Sequence, residues 1–253
     1  MNAKPAPANG PWSQILSAVT DILFPPLCHG CRAFIPDAGE IHLCRDCLVK
    51  SPPIVSPLCT VCGVPFLTEG GSDHVCGGCL AHLPPYETAR AAALFEGPAR
   101  EMIHRFKYGY KVHHARPLGL MTADRIGESV GRWGADLIVP VPLHLKKLRE
   151  RGFNQAVLLG ELLAKQWRLP MGRDNLRRTR WTEPQILLSG VERRENVRGA
   201  FTLCDPGEVR DRRVVLVDDV CTTGSTVAEC ALTLRKGGAA AVFVVTVARA
   251  VQD

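Results

Sequence analysis

Asp218 and Asp219 stand side by side at the end of the apolar run Val214-Val215-Leu216-Val217. Val220 and Cys221 follow, and then Thr222, Thr223, Gly224, Ser225 and Thr226. The hydroxyls are hydrogen-bond donors, and the glycine lets backbone N–H groups approach an anion closely. Val227, Cys230, Ala231 and Leu234 then recur at helical spacing, with Gly237 and Gly238 as the stop. Strand, loop and helix in that order place an anion at a helix N-terminus. The two carboxylates repel such an anion, but they accept hydrogen bonds from a vicinal diol or hold Mg²⁺ through water. A loop that serves a phosphate at one end and a diol at the other suits a ribose 5-phosphate. The strand of a nucleoside-triphosphatase also ends in acids, but it requires a G-x-x-x-x-G-K-[ST] loop, and the chain contains no Gly-Lys dipeptide. A core strand followed by an ordinary Thr/Ser-capped helix is the plain alternative, and it gives no reason for paired acids.

A second constellation lies near the N-terminus. Cys28-x-x-Cys31 and Cys44-x-x-Cys47 are followed by Cys59-x-x-Cys62 and Cys76-x-x-Cys79, a repeat at an offset of 31 to 32 residues. Each C-x₂-C sets two thiolates on one side of a turn, and two such knuckles complete a tetrahedral S₄ shell suited to Zn²⁺. An iron–sulfur cluster also takes four cysteines, but paired knuckles favour zinc. Sequential and crossed pairings of the knuckles both satisfy the spacing. Four thiolates leave no open position, so the ions are expected to be structural. About fifty residues bury too little apolar surface to fold alone, and metal supplies much of the stability.

These groups need a scaffold. The chain has 253 residues, 46% of them hydrophobic, which supports a real core. It has no run long and apolar enough for a transmembrane helix, and polar residues interrupt the segment after Lys4, so no signal peptide is expected. The expected location is cytoplasmic, where disulfides are disfavoured. Residues 1–24 read as a disordered start followed by a short amphipathic helix, 25–85 as a double zinc ribbon, and 86–253 as the remaining domain. Within that domain, Ala89–Phe95 reads as a strand, and Glu101–Lys107 as a short helix with Met102, Ile103 and Phe106 inward. Asp136–Pro142 reads as a strand whose prolines imply a constrained end or pairing on one side only. A basic loop with Lys147, Arg149 and Arg151 follows. Asn154 then caps a helix carrying Val157, Leu158, Leu162, Leu163 and Trp167 on one face. Residues 172–200 lack a period and read as an arginine-rich flap. Ala241–Val247 is another valine-rich strand. Strands alternating with helices imply an α/β fold with a parallel sheet.

The net charge of +6 is uneven: residues 144–198 alone carry +7. Such a field calls for a polyphosphate, a nucleic acid or both. A surface for single-stranded DNA would use Arg173, Arg177, Arg178 and Arg180, with Trp181 stacking on a base.

The stretch from Val214 to Thr226 closely resembles the phosphoribosyl-pyrophosphate (PRPP) signature of type I phosphoribosyltransferases. Several further stretches resemble the ComF family of competence-associated proteins. They are Leu23-Phe24-Pro25-Pro26-Leu27-Cys28, the doubled cysteine ribbon, His104-Arg105-Phe106-Lys107-Tyr108, Val139-Pro140-Val141-Pro142-Leu143-His144, Arg149 to Ala156, and Asn196 to Phe201. The resemblance implies a type I phosphoribosyltransferase-like parallel sheet with flanking helices behind a double zinc ribbon. It also implies Mg²⁺-dependent PRPP binding, a phosphoribosyltransferase activity and a role in DNA uptake. Asp218 and Asp219 would hold the ribose hydroxyls, and Thr222, Thr223, Gly224, Ser225 and Thr226 the 5-phosphate. Lys147, Arg149, Arg151 and Arg193 would neutralise the pyrophosphate. A strained or cis peptide at Pro142-Leu143-His144 is a further implication. The alternative is a non-catalytic protein that handles single-stranded DNA, or docks a protein through the ribbon, with a regulatory or vestigial PRPP site.

The cysteine arithmetic is directly testable. Elemental analysis of purified protein should return two tightly held Zn²⁺ per chain, unchanged when Cys204, Cys221 and Cys230 are replaced by serine. Iron, or one equivalent or less, would reject two S₄ zinc sites.

Overall fold

A computed structural model describes residues 25–36, 41–66, 68, 70–108, 111–181 and 195–251. The expected N-terminal helix, and Arg193 of the flap, lie outside the described residues. The central sheet has four parallel strands in the order β1-β6-β5-β2. They are β1 (Thr88–Leu94), β2 (Leu137–Pro140), β5 (Arg213–Cys221) and β6 (Ala241–Arg249). Strands β3 (Leu176–Arg178) and β4 (Phe201–Leu203) form a separate antiparallel pair.

The apolar runs of β5 and β6 are continuous because both faces are covered. Val215, Val217, Phe243 and Val245 pack on one side with Met102, Ile103 and Phe106 of α3 (Gly97–Tyr108), Leu118 and Met121 of α4 (Ala115–Trp133), and Leu159 and Leu163 of α6 (Gln155–Trp167). Val214, Leu216, Val242 and Val244 pack on the other with Val227, Cys230, Ala231 and Leu234 of α7 (Ser225–Lys236), and with Leu176 and Phe201. No described helix is long and apolar enough to cross a membrane.

Five features differ from the sequence reading, the first being that β3, paired with β4, lies within residues 172–200, which read as a flap. Helix α4 occupies residues to which the apolar pattern assigns no element. The basic run after Pro142 is not a loop but a helix, α5 (Leu145–Arg151), capped by the His144 ring, which accepts from the Lys146 N–H at 3.2 Å. In α6, Asn154 caps as expected, but the buried stripe is Ala156, Leu159 and Leu163, not Val157. The Pro142-Leu143-His144 peptides are trans; among the described residues the one cis bond is Ser56–Pro57.

The ribbon duplication is visible in the backbone. Cys28 N–H donates to Ala33 O and Cys59 N–H to Val64 O, each at 2.8 Å. Ile35 N–H to Pro26 O repeats as Phe66 N–H to Pro57 O. Short helices α1 (Arg45–Val49) and α2 (Gly77–Ala81) follow Cys44 and Cys76, which share nearly the same cap geometry. Both knuckles turn through a left-handed residue, Arg32 at φ 65° and Gly63 at φ 68°. The second copy docks on the edge of the sheet: Ala89 N–H donates to Val61 O at 2.6 Å, and Thr88 Oγ1 to Thr60 O at 2.8 Å. The first copy packs into the main core through Cys28, Ile35, Leu43 and Cys47, and Arg105 Nη1 donates to the carbonyls of His29 and Gly30.

The equivalent turn residues should respond differently to substitution. A Cβ at Gly63 would lie 2.4 Å from Ala89 O, a backbone atom that cannot yield. Gly63→Ala should therefore cost about 2–4 kcal/mol by thermal or denaturant unfolding. Exposed Arg32→Gly removes left-handed strain and should stay within about 1 kcal/mol of the parent.

Candidate functional site

The carboxyl ends of β5 and β2 open on a cleft of about 720 Å³. Its floor is Asp218 to Val227, and its walls include Lys107 and Tyr108 of α3, Lys147 and Arg151 of α5, and Arg178 of β3. Ligands bind at this edge in open parallel sheets because loops, not covered faces, surround it.

Gly224 at φ 79° turns the chain from β5 into α7 and serves as the helix N-cap. A side chain there would be strained in the left-handed region, which explains the glycine. Thr223 Oγ1 and Ser225 Oγ lie 3.0 Å apart, so the hydroxyls are pre-gathered over the helix N-terminus. The first-turn N–H groups, which have no intrahelical acceptor, and the helix dipole make that end an anion cradle.

The acidic pair divides between the two faces of its strand. Asp219 is 5% exposed and forms an ion pair with Lys107 Nζ at 3.0 Å. Burial lowers the pKa of Lys107, but Asp219 and Asp218 outweigh it and raise the ammonium above its ordinary value. Asp218 is half-buried, and its Oδ1 accepts from the Asp219 N–H at 2.8 Å. Burial first, and then the Asp219 charge, push its carboxyl up to about 7, against the opposing charges of Lys107 and Arg178.

The opposite wall is crowded with cations. Burial and then the charges of Arg151, Arg178 and Lys107 lower the pKa of Lys147. Arg178 lies with its guanidinium 5.5 Å from the Phe201 ring centroid, and burial lowers its pKa too. Like charges held together in this way are relieved by an anion. Trp181 closes the rim, with the Lys146 ammonium 4.7 Å from its ring centroid.

Of the site residues expected from sequence, Asp218, Asp219, Thr222, Thr223, Gly224, Ser225, Thr226, Lys147 and Arg151 line this one cleft. Arg149 does not. The run is helical, so Lys147 and Arg151, four residues apart, share a face while Arg149 is exposed on another. Arg193 lies outside the described residues. The four arginines of the expected DNA surface have different surroundings. Arg178 faces the cleft, Arg173 pairs with Glu161, and Arg180 donates to the carbonyls of Asn196 and Arg198, leaving Arg177 exposed. Lys107 and Arg178 were missed as site residues. The His104-Arg105-Phe106-Lys107-Tyr108 motif held a signal for Lys107, whereas Arg178 is recognisable only once β3 is placed.

The cysteines gather sequentially, not crossed. Cys28, Cys31, Cys44 and Cys47 form one cluster, and Cys59, Cys62, Cys76 and Cys79 the other, each with sulfurs within 4.8 Å of one another. A Zn–S bond of about 2.3 Å puts tetrahedral sulfurs about 3.8 Å apart. Cys31 and Cys44 stand at 3.7 Å, as do Cys62 and Cys76. Backbone N–H groups of Cys44 and Cys76 donate to the sulfurs of Cys28 and Cys59 at 3.3 Å, which stabilises thiolates. Both clusters fit structural zinc.

Fold and site together define a phosphoribosyltransferase-type domain behind a double zinc ribbon. A double zinc ribbon domain model matches residues 19–87, and a phosphoribosyl transferase domain model matches residues 165–253. The DNA utilization protein YhgH of Escherichia coli (strain K12) is 35% identical over 224 residues, covering 87% of this chain and 95% of that protein. Competence protein F of Haemophilus influenzae is 41% identical over 116 residues, 46% of this chain and 51% of that one. A purine phosphoribosyltransferase structure from Pyrococcus horikoshii aligns with 51% of this chain and 70% of its own, at 18% identity and a TM-score of 0.33. The chain belongs to the ComF family.

The two carboxylates should differ in their effect on the unliganded protein. Asp218 titrates near 7 in the folded state and near ~4 when unfolded, so stability falls as pH rises across that window. Asp218→Asn should therefore raise the melting temperature at pH 8, by a margin that shrinks toward pH 4. Asp219→Asn leaves the Lys107 ammonium without its closest partner and should cost about 2–3 kcal/mol at pH 8. Equal responses in thermal scans would contradict this division.

Proposed function

We propose that the cleft binds Mg²⁺–PRPP and that the chain is a phosphoribosyltransferase of the ComF type, acting in DNA uptake or nucleotide handling. The observation that carries this reading is convergence: a hydroxyl-lined helix N-terminus, an acidic pair and a cationic wall meet in one cleft. The loop Thr222 to Thr226 takes the 5-phosphate. Asp218 accepts the ribose hydroxyls, with Asp219 held beneath it by Lys107. Lys147, Arg151 and Arg178 take the pyrophosphate, and Arg193 joins this set, as the family resemblance implies. Asp218 and Asp219 would hold Mg²⁺ through water, and the ion when bound would add charge neutralisation for the pyrophosphate. Substitution at C1 builds positive charge on the ribose and negative charge on the leaving oxygens, so this separation of acid floor and basic wall matches the transition state. The ribbon, residues 25–85, serves the domain of residues 86–253 as a metal-stabilised extension.

A second reading keeps the binding and drops the turnover. Among the described lining residues, Asp218 and Asp219 are the sole carboxylates, and neither is spare to deprotonate an acceptor. The DNA-related name of the Escherichia coli relative agrees with a protein in which PRPP regulates DNA handling.

Calorimetry with Mg²⁺–PRPP separates these roles. Each of Lys147→Ala and Arg151→Ala removes charge-assisted contacts worth about 1.5–3 kcal/mol and should weaken binding about ten- to hundredfold. Arg149→Ala should bind within about twofold of the parent, as expected for a residue outside the cleft. Normal affinity in both cleft variants would overturn the PRPP assignment. Release of pyrophosphate from PRPP in the presence of a nucleobase panel would distinguish enzyme from binder.

A further inference from the structure

The first knuckle carries a histidine between its cysteines, and the S₄ shell does not use it. The His29 N–H donates to His42 O at 3.0 Å, and its carbonyl accepts from Arg105 Nη1 at 3.2 Å, so its backbone is fixed. Facing it are His113 and His114, in the 3₁₀ turn Val112–His114 that leads into α4. Ring centroids stand 5.4 Å apart for His29 and His113, 5.2 Å for His29 and His114, and 4.5 Å for His113 and His114. One nitrogen from each of the three rings falls within 4.8 Å of the others. His114 is 3% exposed, yet its buried Nδ1 has no hydrogen-bond partner. A buried polar nitrogen left in that state calls for an explanation, and a bound ion is one.

We propose that His29, His113 and His114 form a third metal site, distinct from both cysteine clusters, for a borderline ion of which Zn²⁺ is the first choice. The donor chemistry narrows the ion. Three imidazoles suit Zn²⁺, Co²⁺, Ni²⁺ or Cu²⁺. The charges acting on the cluster include Arg105 and Lys111, and no carboxylate joins the ligand set, so hard cations that rely on acidic ligands gain nothing here. Zn–N bonds of about 2.1 Å place tetrahedral nitrogens about 3.4 Å apart, so the rings must close by about an ångström. His113 is exposed, and its side chain has room for that movement. The fourth position is left for water or for His42, whose ring centroid lies 5.7 Å from that of His29.

The placement gives the ion a structural consequence. His29 belongs to the ribbon, while His113 and His114 belong to the domain behind it, so one ion would bridge the two. Three ligands and an open position imply weaker binding than four thiolates, and an ion lost on dialysis.

The test starts from the full chain with both cysteine sites filled with Zn²⁺, titrated with Co²⁺ and followed by visible spectroscopy and calorimetry. The expected result is one further equivalent with d–d bands and no sulfur-to-cobalt charge transfer. That equivalent should also raise the melting temperature. His113→Ala, at an exposed position, should weaken it at least tenfold while leaving the two sulfur-bound ions in place. His82→Ala, at an exposed histidine outside the cluster, should leave it intact. Absence of a further equivalent, sulfur-to-cobalt charge transfer in its spectrum, or full retention in His113→Ala would overturn the proposal.

Discussion

A strand covered on both faces can meet solvent or ligand at its ends alone, and in β5 that end is acidic. Side chains alternate along it, so Asp219 continues the face of Val215 and Val217 while Asp218 continues the face of Val214 and Leu216. Lys107 from α3 pairs with Asp219 and also acts on Asp218, and Arg178 from β3 adds its field to Asp218 from the other layer. Charge buried without such partners would cost several kcal/mol per ion, on the order of what a whole domain has in reserve. Much of the surrounding architecture follows from that need. Helix α3 has to deliver an ammonium to one side, and the β3–β4 pair has to carry a guanidinium to the other.

The compensation is incomplete, and the remainder is informative. Asp218, pushed up to about 7, is only partly ionised at neutral pH, and Lys147 is crowded by Arg151, Arg178 and Lys107 more than Glu150 offsets. Stability alone would favour neutral residues at these positions. A bound polyphosphate would reverse the balance, since its charge satisfies the cationic wall and its attached diol gives Asp218 donors to accept from. Under the proposed function, the site suits the complex and the empty protein bears the cost.

The sequence disclosed what rests on short-range pattern. The valine runs of β5 and β6, the turn at Gly224 and the doubled cysteine spacing are local, and they appear where they were read. What it hid rests on phase and on long-range packing. A basic run looks alike as loop or helix, but the helix sends Lys147 and Arg151 one way and Arg149 another. Three arginines near 178 look equivalent in sequence, yet pairing of β3 with β4 puts Arg178 against Phe201 and aims it into the cleft, while Arg177 alternates outward. In α4, Gly119 and Gly127 dilute the apolar signal. Gly119 nonetheless lies close against α6, since a Cβ there would meet the Leu162 side chain at 2.8 Å and that side chain would have to shift.

The sheet also explains why the ribbon is not a loosely tethered module. A four-stranded parallel sheet has two exposed edges, each offering unpaired backbone groups to other chains. At the β2 edge, Pro140 lacks a donor, and Ile138 bonds to Pro170 and Gly172 around the Met171 bridge. At the β1 edge the protection comes from the ribbon, where Val61 and Thr60 accept from Ala89 and Thr88. Arg125 ties the inter-ribbon carbonyl of Ser51 to that of Ala92 in the same strand. Metal-ordered knuckles are rigid without needing a core, which suits them to cap an edge where a short apolar segment would fray. Loss of the second cysteine cluster would therefore unprotect β1, whose register against β6 helps to set the far end of that strand. There Arg249 donates to Cys221 at 3.0 Å, immediately before the loop Thr222 to Thr226. The cap and the site are joined through one strand pair, so the ribbon belongs to the mechanics of the cleft.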